Sequence, residues 1–314
     1  MKAAQIEKYG GASVVTLKEV ERPTAGPGEV VVEVHAAALN PFDTMVRQGY
    51  VSERIPLTFP VTLGGDIAGV VVDVGEGVQG LSVGDPVYGQ AGAVFGASGA
   101  FAQYARTGAD RVVRAPENLD FTEAASLVLV GASAVQALTD HIDLKPGETI
   151  FIHGGGGGIG SAAIQIAKHL GARVITTATG ENIPYVRSLG ADEVIDYRSQ
   201  DFGEAVHDVD AVLDLVGGDD FDRSLGVLKR GGRAVTTVGQ SDDRRAGELG
   251  VTALIQFTRA TPAVLDTLRD LIEKGGVAPR IGRVFPLAEV REAFLAREGG
   301  AKGKVVLQMP TASA

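Results

Sequence analysis

Five consecutive glycines, Gly154 to Gly158, stand in the stretch FIHGGGGGIGSAAIQIAK. A glycine run in mid-chain costs backbone entropy on folding, so the chain must gain something there. Gly155-x-Gly157-x-x-Gly160 has the spacing of a dinucleotide fingerprint. In such a loop one glycine permits a tight turn. The next removes a side chain where a diphosphate approaches, and the third lets helix pack closely on strand. Gly156, Gly158 and Ile159 complete the candidate loop. The helix opening there offers unpaired N–H groups and a positive dipole end to phosphates. A mononucleotide loop of the form GxxxxGK[ST] does not fit, because Ser161 follows Gly160 with no lysine between them.

Such a motif has meaning only between a strand and a helix. TIFIHG reads as the strand. Ile159, Ala163, Ile166 and Leu170 recur at helical spacing and are expected to face a sheet. Strand-like and helical segments then alternate: RVITTAT, ENIPYVRSLG, EVIDY, AVLDLVG, RAVTTVG. That alternation predicts parallel strands with crossover helices, a doubly wound sheet. VTALIQF, residues 251–257, reads as its last strand, followed by a long helix, PAVLDTLRDLIEKG. Residues 241–248, SDDRRAGE, read as a loop that orders on binding or stays mobile. Residues 1 to about 120 differ: short Val-rich runs with glycine turns suggest a small irregular β-barrel. The character changes at TEAASLVLVGASAVQAL, which reads as helix, and the tail GKVVLQM is again strand-like. The expected domains are 1–122 with 261–314, and 123–260.

Ligands of such sheets sit outside the carboxyl ends of the strands. The second strand ends in Thr177, Ala178 and Thr179, with no acidic residue for ribose hydroxyls. The small side chains leave room for a 2′-phosphate, and Tyr197 and Arg198 after the third strand are placed to reach it. That favours NADPH; Glu181 stands against it, and NADH is not excluded. The plain alternative for Tyr197 and Arg198 is an exposed strand end. Leu215, Val216, Val238 and Gly239 end the fourth and fifth strands, where they line a nicotinamide ribose or simply pack the core.

Composition narrows the chemistry. Cysteine is absent from the 314 residues, which removes disulfides, thiolate zinc sites and cysteine nucleophiles. The five histidines show no metal-ligand spacing and read as structural or solvent-facing. A net charge of −10 argues against nucleic-acid and anionic-membrane partners. No unbroken apolar run suggests a membrane span, and the first residues lack a signal-peptide core, so a cytoplasmic protein is expected.

Motifs along nearly the whole chain resemble one family. They include ALNPFDTMVRQG (38–49), GGDIAGVVVDVGEGV (64–78), GDPVYG (84–89), GAFAQYA (99–105) and GASAVQAL (131–138). LKPGETIFIHGGGGGIGSAAIQIAK (144–168), LGADEVIDY (189–197) and GKVVL (303–307) complete the set. The chain resembles the zinc-free quinone oxidoreductases of the medium-chain dehydrogenase/reductase superfamily, the zeta-crystallin-like group. The resemblance implies an α/β fold: a GroES-like β-barrel domain holding both chain ends, an inserted Rossmann doubly wound parallel sheet, and an active-site cleft between them. It implies a homodimer paired through sheet edges, with VTALIQF as the candidate edge. It implies metal-free hydride transfer from NADPH to a small-molecule quinone or α,β-unsaturated carbonyl substrate.

Asn40 before Pro41 reads as a turn residue; under the resemblance, it donates its amide to the substrate oxygen or the nicotinamide ribose. Tyr50 or water supplies a proton, and Asp43 orients its neighbours. Ser133 approaches the nicotinamide, or caps a helix start. Lys304 contacts cofactor or, as we expect, faces solvent. Two departures stand out. Gly64-Gly65-Asp66 replaces the Gly-His-Glu of the superfamily's zinc alcohol dehydrogenases, and Met45 replaces an aromatic found in several relatives. An enoyl-thioester reductase and a non-catalytic NADPH-binding redox sensor are the other readings.

Overall fold

The structure is a computed structural model that describes residues 1–239 and 243–310. In chain order the first elements are β1 (Lys2–Ile6), β2 (Thr16–Glu19), β3 (Glu29–Leu39), α1 (Pro41–Gln48), β4 (Val61–Thr62) and β5 (Asp66–Val74). Then come β6 (Pro86–Gln90), β7 (Tyr104–Gly108), β8 (Val112–Arg114) and α2 (Phe121–Val135). The next series is β9 (Thr149–His153), α3 (Gly158–His169), β10 (Arg173–Ala178), α4 (Asn182–Ser188), β11 (Glu193–Asp196) and α5 (Phe202–Ala205). It continues with β12 (Val209–Asp214), α6 (Asp219–Leu225), β13 (Leu228–Thr236), α7 (Asp243–Leu249) and β14 (Thr252–Ile255). The chain closes with α8 (Pro262–Gly275), β15 (Ile281–Pro286), α9 (Val290–Glu298) and β16 (Lys304–Gln308).

Two compact units result, Met1–Leu129 with Ala260–Glu273 and Pro279–Ala314, and Val130–Arg259 with Lys274–Ala278. The first carries a sheet in the order β15-β16-β3-β5-β6-β8, with β7 on β3, and a smaller sheet β2-β1-β4. The strand β16 pairs antiparallel with β3, so the tail GKVVLQM does return to the N-terminal strands. Ile6, Val32, Leu39, Ile67, Phe101, Phe294 and Leu307 meet in one buried core. Helix α1 leaves β3 where the sequence suggested only an Asn-Pro turn. Pro41 takes the first helical position, where a missing N–H is harmless. Asp43, two residues on, accepts the Asn40 N–H at 2.7 Å. Gly49 ends the helix at φ 84°, the left-handed conformation glycine adopts without strain. Arg47, fully buried, fastens α1 through Glu298 at 2.6 Å and the Gly10 carbonyl at 3.1 Å.

In the second unit six parallel strands run in the order β11-β10-β9-β12-β13-β14. This is the expected doubly wound sheet, with its order reversing between β9 and β12, where such folds open a ligand crevice. β14 is an edge strand, four residues rather than the seven read from VTALIQF. The buried part of α3 is wider than its predicted stripe. Ala163 and Ile166 are joined by Ala162, Ile164 and Ala167, while Ile159 and Leu170 are half-buried. Of the loop 241–248, residues 241 and 242 lie outside the described residues, and the rest belongs to α7.

Phe121–His141, which continues α2 into a π-helical stretch, has 21 residues and a mean hydropathy of 1.5, long and apolar enough to cross a membrane. Of its apolar 18-residue window 72% is buried inside the protein, so the apolarity is that of a core helix. Glu123, Ser126, Gly131, Ser133 and Gln136 interrupt the run, so its apolar sequence is not unbroken.

Candidate active site

The glycine loop separates the roles of its residues. Gly154 carries the left-handed turn, at φ 94°. A Cβ on Gly155 would lie 2.1 Å from Thr176 Oγ1, and one on Gly160 would lie 2.4 Å from the Gly154 carbonyl oxygen. These two glycines are demanded by packing of loop against β10 and of helix against loop. Gly157 is different. Its backbone is ordinary (φ −79°, ψ 174°), and its Cβ would meet nothing closer than 3.5 Å. Nothing among the described residues needs glycine there, so the bare main chain at Gly157 is a surface held open. The N–H groups of Gly158, Ile159 and Gly160 open α3 and have no acceptor within the helix.

Thr177 anchors the loop from β10. Its Oγ1 accepts the Gly154 N–H at 2.9 Å and lies 2.9 Å from His153 Nδ1. The other ring nitrogen of His153, Nε2, is buried without a hydrogen-bond partner among the described residues, 3.6 Å from Asp220 Oδ2. Through these contacts Thr177 ties the glycine loop to β10.

Above this floor lies a cavity of about 780 Å³ lined by Gly154, Gly156, Gly157, Thr177, Thr179, Tyr197, Arg198 and Val216. Residues predicted separately from the glycine motif, the second strand end and the third strand end therefore share one cavity. Its size falls within the range of about 300–1,000 Å³ usual for small-molecule and cofactor sites. Glu181 is exposed and does not line it. Several lining residues escaped sequence reading, among them His153, Asn182, Phe202, Asp220 and Arg223. Arg223 stacks on Phe202 at 4.5 Å and pairs with Asp201 and, at 2.8 Å, with Asp220. Those lining residues come from four elements, β9, α4, α5 and α6, with no common motif, so only folding gathers them.

The remaining nucleotide candidates lie around these strand ends. Leu215 donates its N–H to the His153 carbonyl at 3.1 Å, and Val238 donates to Thr236 Oγ1 at 3.1 Å. Val216 and Val238 are about half exposed, and Gly239 is exposed at φ 89°, which sets these three apart from core packing. Ser133 is not a helix-start cap: it lies within α2, buried, its hydroxyl 2.8 Å from Thr258 Oγ1. Gln256 Nε2 donates to the Ser133 carbonyl at 3.0 Å.

In the first unit, Asn40 sits at the junction of β3 and α1. Its Nδ2 donates to Asp66 Oδ2 at 2.7 Å, and its Oδ1 accepts from Lys304 Nζ at 2.5 Å. Asp66 also accepts from Gln90 Nε2 at 3.2 Å and from the Leu129 N–H at 3.1 Å. Lys304, expected to face solvent, is buried. Val305, Val306 and Leu307 are buried too, on both faces of β16, so no alternation marks which way Lys304 points. Burial pushes the Asp43 carboxyl up to about 7, against the Asn40 N–H, with Asp66 adding to the rise. Burial likewise raises Asp66 and lowers Lys304, and their mutual attraction opposes both effects. Tyr50 stands apart, 74% exposed after the end of α1.

The family models that match describe an alcohol dehydrogenase GroES-like domain over residues 26–117 and a zinc-binding dehydrogenase over residues 189–307. The human protein named quinone oxidoreductase is 30% identical over 98% of this chain and 97% of its own length. The chloroplastic NADPH-dependent alkenal/one oxidoreductase of Arabidopsis thaliana is 35% identical over 98% of this chain and 79% of its own. The chain belongs to the medium-chain dehydrogenase/reductase superfamily. Among solved structures, Escherichia coli quinone oxidoreductase complexed with NADPH superposes with a TM-score of 0.87 at 28% identity, covering 98% of this chain and 100% of that one. The superfamily's quinone-oxidoreductase-like branch is where the chain falls, with the barrel and the parallel sheet both accounted for.

Proposed function

We propose that this member of the superfamily is an NADPH-dependent oxidoreductase that reduces quinones or α,β-unsaturated carbonyl compounds without a metal. The observation that carries the cofactor is the bare main chain at Gly157, at the mouth of a cavity that also presents Arg198 and Tyr197. In this reading the first-turn N–H groups of α3 and its dipole hold the diphosphate. Tyr197 and Arg198 hold the 2′-phosphate, and a guanidinium there recognises phosphate in a way no backbone group at the end of β10 does. Leu215, Val216, Val238 and Gly239 line the nicotinamide ribose, with Ser133 near the ring. The bound cofactor supplies the hydride.

Asn40 donates its amide to the substrate oxygen and so stabilises the anion that forms there. The proton comes from Tyr50 or water. Metal chemistry is not required: the chain has no cysteine, and the Asp66 carboxylate already accepts hydrogen bonds from Asn40, Gln90 and Leu129. The domains in this reading are residues 1–122 with 261–314, and 123–260. It extends to a cytoplasmic homodimer, supported by the edge position of β14 in its sheet and by Phe257 beside it, 77% exposed.

Stopped-flow absorbance at the nicotinamide band tests the proposal, with NADPH or NADH against 1,4-benzoquinone and an alkenone. Faster oxidation of NADPH by at least one acceptor supports it. Tight NADPH binding with no turnover across the panel would instead identify a binding protein.

A further inference from the structure

The Asn40 amide is gripped from both sides. An ammonium only donates hydrogen bonds and a carboxylate only accepts them. With Lys304 Nζ 2.5 Å from Oδ1 and Asp66 Oδ2 2.7 Å from Nδ2, the amide therefore has one allowed orientation. Flipping it would set N–H against ammonium and oxygen against carboxylate. Nδ2 carries two hydrogens, and Asp66 takes one of them.

The cost of this arrangement is large. Asp66 and Asn40 are 0% and 2% exposed, Asp43 5%, and Lys304 8%. Buried charges are expensive even when paired, and apolar residues of like volume often serve stability as well or better. Neighbouring strand residues of β16 show that the core accepts Val and Leu readily.

We infer that Lys304 and Asp66 are positioning residues that lock the Asn40 amide so that its second Nδ2 hydrogen is presented to the substrate oxygen. The inference rests on the assignment of Asn40 made above. Asp43 contributes by holding the Asn40 main-chain N–H at 2.7 Å, and Arg297 is the other cation that Lys304 senses.

The chain has three asparagines, Asn40, Asn118 and Asn182, so selective ¹⁵N-asparagine labelling yields three side-chain amide pairs, and a fourth in any variant carrying Asp66→Asn. Asn118, which donates to the Ile272 carbonyl at 3.2 Å, serves as reference, and Asn182 lines the nucleotide cavity. Lys304→Met alone leaves Asp66 buried without its cation, so the charge-balanced pair Asp66→Asn with Lys304→Met is the principal variant. It is expected to fold, to move the Asn40 amide signals while leaving Asn118 unchanged, and to bind NADPH as the unmodified protein does. Its kcat falls about tenfold or more, because the amide loses both charged partners that fix its orientation, with KM little altered. A folded double variant with unmoved Asn40 signals, or with undiminished kcat, overturns the positioning role. Asn40→Ala separates the two layers. If it turns over normally, Asn40 itself is misassigned. If it is slow while the double variant is not, the positioning inference alone is wrong.

Discussion

Replacing Gly157 by alanine is expected to spare the fold and to remove most of the nucleotide affinity. The backbone there is extended in the ordinary way, and the added methyl would find its nearest neighbour at 3.5 Å, a normal contact. Gly157 is the N-cap of α3, where glycine exceeds alanine by about 0.5–1 kcal/mol. Reduced freedom of the unfolded chain returns about 0.4–1 kcal/mol. The two nearly cancel, so the melting curve should barely move. The ligand side is not balanced in this way. A methyl at that point stands between a diphosphate and the first-turn N–H groups, and losing one charge-assisted hydrogen bond costs about 1.5–3 kcal/mol, or about ten- to a hundredfold in Kd. Calorimetric unfolding paired with a fluorescence titration of NADPH reads both effects. Gly160→Ala is the contrast, since its Cβ would lie 2.4 Å from the Gly154 oxygen and 2.7 Å from Gly155 Cα, backbone atoms that cannot yield cheaply. That variant should lose about 1–3 kcal/mol of stability through overpacking. A Gly157→Ala protein that binds NADPH within twofold of the original would refute the diphosphate reading of the loop.

Three further outcomes are expected. Asp43 is held at about 7 against an ordinary 3.8, so its contribution to stability is fully present below pH 3.8 and lost as pH rises through about 7. Relative to Asp43→Asn, the original protein should therefore lose up to about 4 kcal/mol between pH 4 and 8 in urea melts; parallel profiles would contradict this. Arg198→Ser should weaken NADPH binding about tenfold and leave NADH unchanged, as measured by calorimetric titration; equal loss for both nucleotides would remove the 2′-phosphate assignment. Phe257→Asp should convert a dimer to a monomer in sedimentation velocity without loss of secondary structure, and an unaltered sedimentation coefficient would move the interface elsewhere.

How much of this was legible beforehand depended on how local the cause was. The glycine spacing and the strand–helix alternation are short-range patterns, and they led to the doubly wound sheet, the loop and both strand ends that share its cavity. The run could not say which glycine did what. Gly155 and Gly160 answer to backbone and side-chain atoms beside them, while Gly157 answers to none. The Asn40–Pro41 pair read as a turn because turn and helix-cap chemistry use the same residues. Its helical outcome shows only in the Asp43 bond back to Asn40 and in the burial of Arg47.

By itself, then, the order of residues determined the two architectures, the place of a nucleotide loop and the absence of cysteine chemistry, because each follows from periodicity, spacing or composition. Tertiary structure decided the rest. Lys304 stands 264 positions from Asn40 and reaches it only because β16 pairs with β3. Likewise Arg223 joins Arg198 at one cavity only through the order of parallel strands. Charge and hydrogen-bond partners separated so widely leave no trace in local sequence, since what brings them together is the pairing of strands.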